Sequence, residues 1–158
     1  MTRERRAATT RTARFVRARP ERIYAAFTDP DALVAWLPPG EMSGTMHAFD
    51  ARVGGGYRMS LFYPPDARHL RGKTSDNEDM VEVRFAELMP PHRIVEAIRF
   101  LTTDPTLLGE MTLTATFEAE SAGTLVILLF ENLPPGVRAE DNEAGARLSL
   151  EQLARWLG

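Results

Sequence analysis

Hydrophobic residues recur along the chain with two different periods, and the places where the period changes mark its elements. TTRTARFVRA, residues 9–18, has the β-branched and aromatic content of a first strand. In RPERIYAAFTDPDALVAWL, Ile23, Tyr24 and Phe27 fall at helical spacing behind Pro20, a residue suited to the first turn of a helix. Thr28-Asp29-Pro30 breaks that helix, and a second short one is expected from Asp31 to Leu37, stopped by Pro38-Pro39-Gly40. From Met46 the period becomes two. TMHAFDARVGGGYRMSLFY reads as two extended runs about Gly54-Gly55-Gly56, where the backbone has freedom for a tight turn or bulge.

Residues 64–79, PPDARHLRGKTSDNED, form a polar connection long enough to be a functional loop. MVEVRFAEL, RIVEAIRF, MTLTATFEAE and TLVILLFEN then read as successive strands, joined at MPPH, at LTTDPTLLGE and at Ser121-Ala122-Gly123. Connections this short make the strands antiparallel neighbours. After Leu133-Pro134-Pro135-Gly136, Ala146, Leu150, Leu153 and Leu157 recur at three- and four-residue steps, the stripe of one long amphipathic helix. Glu140, Asp141 and Glu143 lie in its first turns, where the helix dipole favours negative charge. The predicted fold is therefore α+β: a curved antiparallel sheet around a long C-terminal helix, with two short helices after the first strand.

Composition narrows the class. The 158 residues suit one domain, placed at 11–158 behind a flexible arm at 1–10. With 44% hydrophobic and 26% charged residues and no apolar run of bilayer length, a soluble protein without a membrane span is expected. The basic N-terminus lacks the apolar stretch of a secretory signal, so the expected location is cytoplasmic. A net charge of -3 does not suggest nucleic acid as a partner. The absence of cysteine excludes disulfides, thiolate catalysis and cysteine-ligated zinc.

The order of elements, together with ARPERIYAAFTDPDALVAWLPP at 18–39, FDARVGGGYRMS at 49–60, ELMPPHRIVEAIRF at 87–100, MTLTATFE at 111–118, GTLVILLFEN at 123–132 and EAGARLSLEQLARWL at 143–157, resembles the SRPBCC (START/Bet v 1-like, helix-grip) superfamily. Within it the chain resembles the branch related to the C-terminal domain of the activator of Hsp90 ATPase. The resemblance implies a helix-grip fold with a largely apolar cavity between sheet and long helix, used across the superfamily for lipids, polyketides, plant hormones and aromatic molecules. It implies a lining of Trp36 on the lid helix and Tyr57, Met59, Glu96 and Ile98 on the strands. Met111, Leu113, Phe117 and Leu128 would extend it across the sheet, with Ala146, Leu150 and Leu153 facing them from the helix. Ala146 stands where relatives usually carry Trp, and Asn142 where many carry His.

Few residues carry recognisable chemistry. Gly72-Lys73-Thr74-Ser75 ends like a phosphate-binding loop, but that motif needs a Gly where Ala67 stands, a strand ahead and a helix behind. His47, His69 and His92 are too scattered for a metal site, and no G-x-S-x-G elbow supports a Ser/His/Asp set. No cofactor or metal is expected. Glu96 shares strand parity with Ile94, Ile98 and Phe100, so an inward sheet face would carry its carboxyl inward; the alternative is a strand-end position or pairing with Arg84 or Arg99. Glu131 and Asp79 are lesser candidates for the same role. Tyr57 and Met59 share a face with Leu61 and Tyr63, a stripe that either packs a core or orients a ligand.

TLVILLF is apolar on both parities: Val126, Leu128 and Phe130 on one, Leu125, Ile127 and Leu129 on the other. The second set needs a cover, either a homodimer partner or a loop. The leading functional expectation is a module binding a small hydrophobic or aromatic ligand. The alternatives are a chaperone-interaction protein and a cyclase- or hydrolase-type enzyme using Glu96 or Tyr57.

Overall fold

The structure of the chain, a computed structural model, describes residues 7–65, 72–74 and 77–158. Its strands are β1 (Ala8–Val16), β2 (Ser43–Asp50), β3 (Gly56–Phe62), β4 (Glu78–Met89), β5 (Arg93–Phe100), β6 (Met111–Glu120) and β7 (Gly123–Leu133). They form one antiparallel sheet of seven strands in the order β1-β7-β6-β5-β4-β3-β2. Helices α1 (Pro20–Phe27) and α2 (Pro30–Trp36) follow β1, and α3 (Ala139–Leu157) ends the chain. The helix-grip architecture read from the sequence is the one observed, with an added 3-10 turn at Pro105–Leu107 inside the expected loop.

Several boundaries differ from expectation, among them the start of β4 at Glu78, inside the expected connection at 64–79, and the start of β2 at Ser43, ahead of Met46. β1 begins at Ala8, inside the stretch 1–10 expected as an arm; Ala8 pairs with Leu133, and Thr10 is buried opposite Phe130. Backbone pairing with β7 extends the strand beyond what β-propensity alone marks. α2 begins at Pro30 because the Asp29 side chain accepts from the backbone N–H of Asp31 at 2.8 Å and of Ala32 at 3.2 Å. Those are two of the donors that a helix start leaves open.

The sheet bends where its register shifts, between Met46 and Ala48 on β2 and between Phe85 and Glu87 on β4. Gly56 allows the close approach of β3 to β4, since a Cβ there would lie 1.8 Å from the Val83 carbonyl oxygen, and its φ of +153° is one that side chains rarely adopt. On the concave face, cross-strand rows can be followed. Tyr57 faces Val83, Val83 faces Ile98 and Ile98 faces Met111; one step along, Phe85 faces Glu96, Glu96 faces Leu113 and Leu113 faces Phe130.

α3 lies over this face with Ala146, Leu150, Leu153 and Leu157 buried, as their spacing predicts. Polar side chains from the same helix fasten α2. Gln152 donates through Nε2 to the carbonyls of Trp36 (2.8 Å) and Pro38 (2.7 Å) and accepts from Gly40 N–H (2.8 Å). The Ser149 hydroxyl donates to Leu37 O at 2.6 Å. These bonds satisfy carbonyls that the end of α2 leaves without intrahelical partners.

Candidate functional site

Every residue expected to line the interior is buried: Trp36 on α2, Tyr57 and Met59 on β3, Glu96 and Ile98 on β5, and likewise the named residues of β6, β7 and α3. The aromatic members form two groups. Trp36 packs on Phe27 at 4.7 Å, and Phe27 packs on Phe117 at 5.0 Å, with Tyr24 edge-on to Phe117. The Trp36 indole N–H donates to Ala26 O at 3.0 Å, so Trp36 pins α2 to α1. The second group is Phe49, Tyr57 and Phe85, with ring centres about 6 Å apart, on β2, β3 and β4.

Glu96 lies beside this second group. It is 3% exposed, between Phe85 and Leu113 in the cross-strand row. The arginines proposed to neutralise it are engaged elsewhere, Arg99 with Glu82 at 2.7 Å and Arg84 with Glu110 at 3.7 Å, both at the surface. Burial alone raises the Glu96 carboxyl from the ordinary 4.5 to about 8, so at neutral pH it is held as the acid. Tyr57 is pushed well above its ordinary value, first by burial and then by the nearby Glu96. Among the described residues neither the Glu96 carboxyl nor the Tyr57 hydroxyl has a hydrogen-bond partner, whereas the Trp36 indole does.

Asp79, the lesser candidate, is also buried but fully engaged. It accepts from Tyr63 Oη at 3.0 Å, from Lys73 Nζ at 2.9 Å and from the Lys73 backbone N–H at 2.5 Å. The Lys73 ammonium sits 5.1 Å from the centre of the Phe100 ring. Burial raises the Tyr63 hydroxyl, followed by the charges of Asp79 and of Asp141 in the first turn of α3. Sequence reasoning missed this cluster. Its signal was present in the shared parity of Leu61 with Tyr63 and of Asp79 with Val81, which put all of them on the concave face. Glu131 is exposed.

A second set went unseen. His47 Nε2 lies 2.8 Å from Ser60 Oγ, and Ser60 donates to Glu78. Ser60 is fully buried and gives its hydrogen to the carboxylate, so the hydroxyl is not poised as a nucleophile activated by the imidazole. His92 is exposed, and His69 lies outside the described residues, as do most of the residues around Gly72-Lys73-Thr74. No group of metal-ligating side chains occurs among the described residues. Two surface clefts there lie away from Glu96. One of about 310 Å³ runs between residues 7–8, 108–109 and 132–137, and the other of about 650 Å³ between residues 17–22 and 119–123.

Residues 17–158 match the family model described as Activator of Hsp90 ATPase homolog 1-like protein. Among solved structures the chain is similar to protein CV1439 from Chromobacterium violaceum, with 34% identity and a TM-score of 0.83, covering 94% of this chain and 95% of that one. The AHSA1-like protein from Aeromonas hydrophila shares the fold at 16% identity and a TM-score of 0.71, covering 95% and 92%. DynU16, from the dynemicin biosynthetic locus, shares it at 20% identity and a TM-score of 0.67, covering 94% of this chain and 46% of that one. No curated protein matches the chain.

Proposed function

The chain belongs to the Activator of Hsp90 ATPase homolog 1-like family, and from that premise we propose that it is a binding module that holds a small hydrophobic or aromatic molecule between the sheet and α3. Family and fold support a module that either holds a ligand or acts as an activator of Hsp90 ATPase does. One observation favours the first: a phenol on β3 and a carboxyl on β5, both buried on the concave face, have no hydrogen-bond partner among the described residues. Leaving such groups unmatched costs about 1–3 kcal/mol each, so their arrangement calls for a functional or structural reason, of which a bound molecule is one.

Rigid aromatic walls at Phe49 and Phe85 and the adaptable thioethers of Met59 and Met111 suit a flat apolar ligand. Ala146, buried on α3, leaves more room than a larger residue would. The proposal includes a homodimer. Leu125, Ile127 and Leu129 remain only half-buried on the convex face, beside Phe15 at 39% exposure, and a second copy would cover them. Native mass spectrometry of the protein purified from its own host tests the binding role. The expected result is an added mass of a few hundred daltons that is lost on denaturation. An unadorned chain that also takes up no apolar probe in vitro contradicts it.

A further inference from the structure

We infer that Tyr57 and Glu96 form a two-donor site for the carbonyl oxygen of an otherwise apolar, ring-containing ligand. The inference rests on the binding role proposed above and adds which functional group the ligand carries. The two side chains come from β3 and β5 on the same concave face, with β4 between them: Tyr57 pairs with Val83, and Glu96 pairs with Phe85 one row along. Both are at least nine-tenths buried, and their surroundings are hydrocarbon: Phe49 and Phe85 beside Tyr57, Phe85 and Leu113 beside Glu96.

The chemistry follows from what these groups can offer. Burial keeps the Glu96 carboxyl protonated near neutral pH, so it presents an O–H, and Tyr57 presents a second. Two donors on one apolar face are matched by one oxygen with two lone pairs and no hydrogen of its own, which is a ketone, quinone or enone carbonyl. A neutral carboxylic acid and a tyrosine in one apolar pocket are a known physical solution for holding such an oxygen, because neither donor has to be stripped of charge when the ligand arrives. A cationic ligand would instead require Glu96 to ionise, against the desolvation that holds it neutral. A purely hydrocarbon ligand would leave both hydroxyls unmatched.

The test uses three molecules of one skeleton: 2-acetylnaphthalene, 2-ethylnaphthalene and 1-(2-naphthyl)ethylamine, titrated into the full chain at pH 7. The ketone is expected to bind about tenfold more tightly than the hydrocarbon, the effect of two neutral hydrogen bonds at their usual net strength. Tyr57→Phe and Glu96→Leu should each reduce ketone affinity roughly fivefold while hydrocarbon affinity stays the same or rises, and Glu96→Gln, which keeps a donor, should retain most of the ketone affinity. The carbonyl stretch of the bound ketone should fall below its value in the Tyr57→Phe variant, a readout independent of affinity. Equal binding of ketone and hydrocarbon overturns the carbonyl site while leaving the binding role intact. Tightest binding by the amine also overturns it, by making Glu96 an ion-pairing carboxylate. If none of the three binds, the binding role falls and the carbonyl site with it.

Discussion

Glu96 was placed by strand parity alone: RIVEAIRF puts its carboxyl on the side of Ile94 and Ile98, and β5 pairs with β6 without a register shift, so parity held. Its isolation was not legible, because Arg84 and Arg99 could have turned toward it and instead pair at the surface. The His47–Ser60–Glu78 chain was hidden for the opposite reason. A bulge between Met46 and Ala48 breaks the alternation that would have placed His47. Burial of Glu96 carries a signed consequence for stability. Between pH 4.5 and about 8 the folded chain keeps a proton that the unfolded chain has released, so stability supplied by this group is full below 4.5 and drains as pH rises through 8. The loss is on the order of a few kcal/mol. Denaturant unfolding should show Glu96→Gln gaining on the unmodified protein as pH increases from 5 to 8; parallel pH profiles would mean the carboxyl is not buried in this way. Trp36 carries a different weight. Trp36→Ala removes the contact with Phe27 and the bond to Ala26 O, and unfolding should reveal a loss of about 3–5 kcal/mol.

At the scale of elements, the stripe Ala146, Leu150, Leu153 and Leu157 announced α3 and its buried face. The polar residues among them gave no such signal, since Ser149 and Gln152 would ordinarily be read as solvent-facing. They are the fastening of α2 to α3, made through backbone carbonyls that no sequence pattern displays. Gln152→Leu keeps the volume but strands the carbonyls of Trp36 and Pro38 and the Gly40 N–H. It should cost about 2–3 kcal/mol in chemical denaturation, with amide exchange accelerating in α2 before it does in the central strands. Uniform acceleration across the sheet would show that α2 is not held separately. Removing an interior contact by substitution differs from filling space. Ala146→Trp should leave stability near that of the unmodified chain and weaken uptake of an apolar probe, whereas a loss of about 1–3 kcal/mol would mean the neighbours already fill the site.

For the whole molecule, the antiparallel order of strands and the position of the long helix were readable from periodicity, because each surface has one wet and one dry side. TLVILLF departs from that rule, and β7 lies next to the edge strand β1 with Leu125, Ile127 and Leu129 on the convex face. A homodimer through this face predicts that Ile127→Glu sediments as a folded monomer while the unmodified chain sediments as a dimer. A monomeric unmodified chain at high micromolar concentration excludes it. Among the described residues no helix is long and apolar enough to cross a membrane.

The central claim, an apolar ligand held between sheet and α3, is tested most directly by methyl NMR of methionine-labelled protein during titration with 8-anilinonaphthalene-1-sulfonate. Met59 and Met111 are buried on the concave face, and Met89 is 46% exposed at the end of β4. The methyl signals of Met59 and Met111 should move together to saturation while that of Met89 stays in place. Movement confined to Met89, or saturable binding that leaves both interior methyls unmoved, would contradict a binding site in the interior.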